Sequence, residues 1–242
     1  MWAYHAPVDR MIVFDYQRGR GRVNCREMLG DFRGYLQTDG YAAYKEHKAR
    51  EAIIPLACWA HARRKFFEAQ DNDHRRATEA LEMIAKLYDV ERDARERGLD
   101  AAARKQLRLE QSLPVIDTIG QWLVRALEQT TPKSPIGVAV GYTVSLFKEL
   151  RNYLHDGHLE IDNNLIENAI RPLALGRKNY LFAGSHDAAM NIAMYRSFFA
   201  TCRLHGIDQR RWLLHVLGTI AATPADQYHT LLPQNVDPSQ LA

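Results

Sequence analysis

The sequence has few cysteines, no long apolar run and almost no excess charge of either sign, and each shortage removes a class of protein. Three scattered cysteines, Cys25, Cys58 and Cys202, do not make a disulfide framework and fit a reducing cytoplasm. No stretch of about 18 uncharged apolar residues occurs, so no membrane span is predicted. Met1-Trp2-Ala3-Tyr4-His5 carries neither the basic region nor the apolar stretch of a signal peptide. Phosphate-binding Gly-rich loops, Gly-x-Ser-x-Gly elbows and His-Glu-x-x-His pairs are all missing, which argues against P-loop, α/β-hydrolase and metalloprotease chemistry. Ser145 and Ser197 fall within helical runs that offer no base, so nucleophilic catalysis has no candidate.

What is present is 46% hydrophobic and 25% charged residues over 242 positions, enough chain for one large domain or two small ones. Net charge is only +3, yet the basic residues are grouped. Arg18/Arg20/Arg22, Arg63/Arg64/Lys65, Arg75/Arg76, Arg177/Lys178 and Arg210/Arg211 could each meet phosphate, or could simply be solvated helix faces.

The first sixty residues read as strand-rich. Trp2–His5 and Met11–Tyr16 are β-prone runs around a turn at Ala6–Arg10. A short helix is predicted over Cys25–Phe32, a third strand over Gly34–Thr38, a helix over Tyr41–His47 and a fourth strand over Ala52–Ala57. From Trp59 the pattern changes. His74–Glu96 and Ala101–Glu128 have Leu and Ile at three- and four-residue spacing, predicting long amphipathic helices. Further helices are predicted over Ile136–Leu154, Asp162–Ile170 with Pro172 as the stop, Asp187–His205 and Gln209–Ala222. Strands first and helices afterwards indicate an α+β fold with a large all-α insertion.

Three sets of residues could carry chemistry. Asp39 follows the third strand in Leu36-Gln37-Thr38-Asp39-Gly40-Tyr41, where a carboxylate can face a cleft and hold a divalent cation. Asp-Gly is also a common turn signal, and local sequence favours the turn. Glu167 lies in a helix for which Asp162 is a good N-cap, so Asn164, Glu167 and Arg171 share a polar face, with Leu165, Ile166, Ala169 and Ile170 on the other. An ordinary surface Glu–Arg pair reads the same way. Cys58 and His61 form a Cys-x-x-His, and Cys202 and His205 form another. Together they could supply four zinc ligands, although neither pair has the spacing of common zinc modules and a packed thiol is the simpler reading.

In order along the chain, Gly34–Tyr44 (GYLQTDGYAAY), Cys58–Phe67 (CWAHARRKFF), Asp162–Pro172 (DNNLIENAIRP) and Leu175–Gly184 (LGRKNYLFAG) resemble successive blocks of the insertion sequence 66 family of transposases. Phe198–Leu217 resembles that family's C-terminal tail, so the likeness spans nearly the whole chain. The resemblance implies a DDE transposase, with metal-dependent DNA cleavage and strand transfer on a ribonuclease-H-like core. It implies residues 1–66 and 155–190 as that core, 67–154 as a helical insertion and 191–242 as a helical tail. By the same resemblance Asp39 and Glu167 are the second and third acidic ligands of a two-metal Mg²⁺ or Mn²⁺ site. Cys58, His61, Asn164 and Arg171 are implied to support it. Arg63, Arg64, Lys65, Arg177 and Lys178 are implied contacts to DNA. Zinc is not expected. Partners would be transposon ends and target DNA, together with further transposase subunits, in a bacterial cytoplasm at the nucleoid.

The family's first catalytic Asp has no match. Trp2–His5 resembles the core's second strand, Asp9 falls in a turn, and Asp15 lies on the next strand. The expectation is a core lacking its first strand, in a chain inactive alone. Two other readings remain: a non-catalytic DNA-binding or regulatory fragment that associates with full-length transposase, and a zinc-stapled helical interaction protein.

Overall fold

The three- and four-residue apolar spacing of His74–Glu96 produces the longest helix of the molecule, with Ala77, Ala80, Ile84, Leu87 and Ala94 buried along one face. Its start is fixed by Asp73, whose side chain accepts the Arg76 amide. A computed structural model describes residues 1–19, 21–38, 44, 50–179 and 182–241. The fold is mostly helical α+β, in two bodies: Gly21–Asn164, and Met1–Arg20 with Leu165–Ala242.

In the Gly21–Asn164 body, α1 (Arg22–Leu29) precedes two short parallel strands, β3 (Gly34–Gln37) and β4 (Ile53–Leu56). Then come α2 (Trp59–Glu68), α3 (His74–Glu96), α4 (Ala101–Leu107), a π-turn over Arg108–Ser112, α5 (Leu113–Gln129), α6 (Pro135–Ser145), α7 (Phe147–Arg151) and a 3-10 turn over Asn152–His155. One apolar core joins β4 to these helices, with Trp59, Phe66, Ile84, Leu87, Ile116 and Val140 at its centre. Fully burying side chains of this size stabilises by about 1.5–3 kcal/mol each. Trp59 also donates its indole N–H to the Leu150 carbonyl at 3.0 Å, so its polar edge is satisfied.

The other body holds the hairpin of β1 (Trp2–Ala6) and β2 (Met11–Asp15), antiparallel as the turn at Ala6–Arg10 required. With it are α8 (Asn164–Gly176, which starts on the last residue of the first body), α9 (His186–Leu204), α10 (Gln209–Thr219) and 3-10 turns in the tail. Ile12 and Phe14 bury against Ala193 and Ala200, joined by Ile166, Ala169 and Leu173 of α8. Thr201 and Ser197 accept the backbone N–H groups of Ile12 and Phe14 at 3.2 and 2.8 Å, giving β2 partners on the side where, among the described residues, no further strand pairs with it.

Four sequence expectations need correction. The predicted helix Ala101–Glu128 is broken into α4, the π-turn and α5, the last carrying Pro114 in its first turn, where proline is tolerated. The run 136–154 divides at Leu146 into α6 and α7 followed by a 3-10 turn. Pro172 does not stop its helix, which continues to Gly176 with the proline inside. Finally, Leu165 and Ile170 are exposed by 44% and 37%, so the apolar face of α8 is Ile166–Ala169–Leu173 and narrower than expected. The helix predicted over Tyr41–His47 lies outside the described residues except for Tyr44.

Candidate functional site

The ends of β3 and β4 and the segment that precedes α8 meet at the carboxyl end of the β3–β4 pair. Gln37, the last residue of β3, donates its side-chain amide to the Ala57 carbonyl at 3.4 Å and the Glu160 carbonyl at 3.2 Å. It thereby ties β3 to the residue after β4 and to the segment that precedes α8. Thr38 next to it is buried. Asp39 itself lies outside the described residues.

Glu167 stands in the first turn of α8, where a carboxylate is favoured by the helix dipole, and is half-buried. Asn164 and Arg171 share its face and are exposed. Asp162 does not cap the helix from the position directly before it. Its Oδ1 accepts the Asn164 amide at 3.0 Å across two residues, and its Oδ2 accepts the Asn164 side-chain amide at 2.8 Å. The Tyr88 hydroxyl of α3 donates to the same Oδ2 at 2.9 Å. Burial, and then the Asp162 charge, push the Tyr88 phenol well above its ordinary value, so it remains a donor.

Cys58, at the N-cap of α2, is buried and donates its thiol to the Asn163 side-chain carbonyl at 2.9 Å. Burial raises its pKa against the opposing pull of backbone N–H groups, and the Asp162 charge raises it further. The thiol therefore remains protonated and serves as a packed donor. The Trp59 amide, one of the helix's unsatisfied first-turn groups, donates to the Ile161 carbonyl at 3.2 Å. Residues 160–164 thus lie along the start of α2, held by Gln37, Cys58, Trp59 and Tyr88. His61 is half-buried one turn on.

On α2, Arg63 and Arg64 are exposed and Lys65 is half-buried; past the end of α8, Arg177 and Lys178 are exposed. Cys202 is buried in a separate apolar cluster with Trp212, and burial lifts its thiol pKa to about 11. The His205 Nε2 is occupied by the Arg10 carbonyl at 3.0 Å. Among the described residues no group of three or more His, Cys, Asp or Glu side chains is placed to hold a metal. No described helix is long and apolar enough to cross a membrane.

Gln37 and Tyr88 were not legible as site residues. Gln37 falls inside the Gly34–Tyr44 block, but neither a strand Gln nor a helix Tyr signals chemistry by itself, and only the packing of three distant segments gives them their partners. Asp162 was visible as a helix-start signal, but its bond to Tyr88 spans 74 residues.

No solved structure matches this fold. The chain is 34% identical over its full length to the uncharacterized protein y4qI of Sinorhizobium fredii, covering 47% of that protein. It is also 31% identical to y4jD of the same organism, with 96% of this chain and 47% of the relative aligned. It therefore spans about half the length of these relatives. The model of the Transposase IS66 family matches residues 1–191 and that of the IS66 C-terminal element residues 197–234. By both matches, the protein belongs to the IS66 family of transposases.

Proposed function

We propose that the chain contributes Asp39 and Glu167 to a metal-dependent site for DNA strand cleavage and transfer, built on a ribonuclease-H-like core. In this reading residues 1–66 and 155–190 make the core, 67–154 a helical insertion and 191–242 a helical tail. The observation that carries it is the Gln37 bridge, which joins the chain two residues before Asp39 to the chain seven residues before Glu167. Within the Gly21–Asn164 body, segments that remote in sequence are thereby anchored together.

The donor set fits the ion. Two carboxylates are hard oxygen ligands of the kind Mg²⁺ and Mn²⁺ prefer, and Glu167 is neither deeply buried nor fully solvated. A cation held there would polarise the scissile phosphate and stabilise the leaving oxygen. The chain's own side chains have separate tasks. Asn164 and Arg171 flank Glu167 on its helix face, where Arg171 can meet a phosphate oxygen. Arg63, Arg64, Lys65, Arg177 and Lys178 bind the DNA backbone without reading bases. Cys58 and Asn163 fix the segment that starts α8, with His61 adding support from the same helix turn as Cys58.

Calorimetric titration with Mn²⁺ tests the reading. Asp39→Ala and Glu167→Ala should each weaken binding by more than about tenfold, since loss of even an outer partner of a metal ligand has an effect of that order. Unchanged Mn²⁺ affinity in both variants would refute it and leave a DNA-binding role without catalysis.

A further inference from the structure

Four charged side chains in the helical body converge on the backbone that leads to α8. We propose that Glu91, Arg104 and Arg108 are positioning residues for Glu167. Together with Glu160 they form a clamp that fixes residues 153–160 and so sets where the helix bearing Glu167 starts. The proposal rests on the role given to Glu167 above.

The arrangement is saturated. Arg108 is 0% exposed, and its Nε and Nη2 grip Glu91 at 2.6 and 2.9 Å. Its Nη1 donates to the carbonyls of Tyr153 and Asp156, both at 2.9 Å, and Nη2 to that of Leu159 at 2.8 Å. All five N–H bonds of the guanidinium are therefore used. Arg104 repeats the pattern one helical turn earlier. It donates to Glu91 through Nε at 3.0 Å and Nη2 at 2.6 Å, to Glu160 at 3.0 and 2.9 Å, and to the Gly157 carbonyl at 3.1 Å. Two cations and two anions cancel, and the Arg108 guanidinium also stacks 4.9 Å from the centre of the Tyr153 ring.

Stability alone does not account for four charges at one place. A buried ion pair costs so much desolvation that apolar residues of similar volume are often as stabilising or more so. What apolar side chains cannot do is donate to backbone. The segment 156–163 is neither helix nor strand, so its carbonyls need partners from elsewhere, and the two forks supply three of them, at Asp156, Gly157 and Leu159, besides that of Tyr153 just before it. The seat is also close-fitting. A Cβ on Gly157 would lie 1.9 Å from the Ala101 carbonyl oxygen, so only glycine lets this loop rest on the start of α4. The widened π-turn begins at Arg108 itself. Directly beyond the clamp come Ile161, Asp162 and Asn163, which engage Trp59, Tyr88 and Cys58.

The Cys58 thiol reports on this segment because Asn163 holds it. In the full chain, Arg108→Lys keeps the charge but replaces the fork with a point donor that cannot serve Glu91 and three carbonyls together. Well below the melting midpoint, iodoacetamide labelling of Cys58 should rise by about tenfold through local opening, while Cys25 and Cys202, both 0% exposed, keep their rates. Mn²⁺ affinity should fall in parallel. Unchanged Cys58 labelling in the folded variant would overturn the proposal. So would simultaneous exposure of all three thiols, which marks general destabilisation, or Cys58 release with unchanged Mn²⁺ affinity. Should Arg108→Lys not fold, Arg104→Lys, at the clamp's 13%-exposed edge, decides by the same comparison. Absence of Glu167-dependent Mn²⁺ binding in the unaltered chain would refute the proposed function itself, and that is seen before any clamp variant is made.

Discussion

Cys58 illustrates how a single atom can be assigned a task by its surroundings. Burial raises the thiol pKa, which suppresses thiolate and leaves an S–H aimed at Asn163 Oδ1. Cys58→Ala would leave that buried oxygen without its donor, at a cost of about 1–3 kcal/mol. Cys58→Ser retains a donor of nearly the same shape and should lose clearly less. Urea unfolding of the two variants checks the order, and equal losses would mean that packing volume, not the hydrogen bond, is what Cys58 contributes. Tyr88 belongs to the same small network, holding Asp162 from α3 while Asp162 holds the backbone of Asn164.

At the scale of elements, α8 poses the sharpest conflict between local preference and tertiary demand. Proline inside a helix removes one N–H and crowds the preceding turn, a penalty of about 3 kcal/mol relative to alanine. The helix nevertheless runs to Gly176, because Ile166 and Ala169 before the proline and Leu173 after it all pack into the same apolar cluster. Pro172→Ala should therefore raise the local stability of 164–176, by up to about 3 kcal/mol. Slower amide exchange across that helix is the expected result, and faster exchange would show that the proline supports the packing. The opposite case is α3, where spacing, cap and burial agree and both ends match the sequence prediction.

At the scale of the whole molecule, five carboxylates among the described residues lie below their ordinary values. Glu91 is pushed up by burial, but the Arg108 and Arg104 bonds and charges outweigh this and leave it below the ordinary Glu value of 4.5. Glu79, held by the Trp122 indole N–H, is also below 4.5, and Asp73, Asp156 and Asp237, bonded to nearby backbone N–H groups, are below 3.8. A depressed native pKa means the unfolded chain binds more protons in the interval between the two values, so stability rises with pH there. The contribution is complete above the unfolded value and disappears as pH falls through the folded ones. The melting temperature should consequently hold between about pH 7 and 5 and drop continuously below the ordinary carboxylate values. A flat profile down to pH 3 would contradict this.

Local sequence was sufficient for much of the molecule. The β1–β2 hairpin, the strands around Tyr35 and Ile54, and the helix starts at His74 and Gln209 follow from residue preference and periodicity, which act within a few positions. The four motif blocks likewise identified the family, because motif order survives without knowledge of packing. The breaks within 101–129 and 136–154, the continuation of α8 past Pro172, the Gln37 bridge and the Glu91–Arg104–Arg108–Glu160 clamp were decided by tertiary structure. Arg104 and Arg108 sit one turn apart on a charged helix and look in sequence like any solvated pair. Their partners are 13 and 17 residues back and about fifty residues ahead, and only folding can set an interaction of that range.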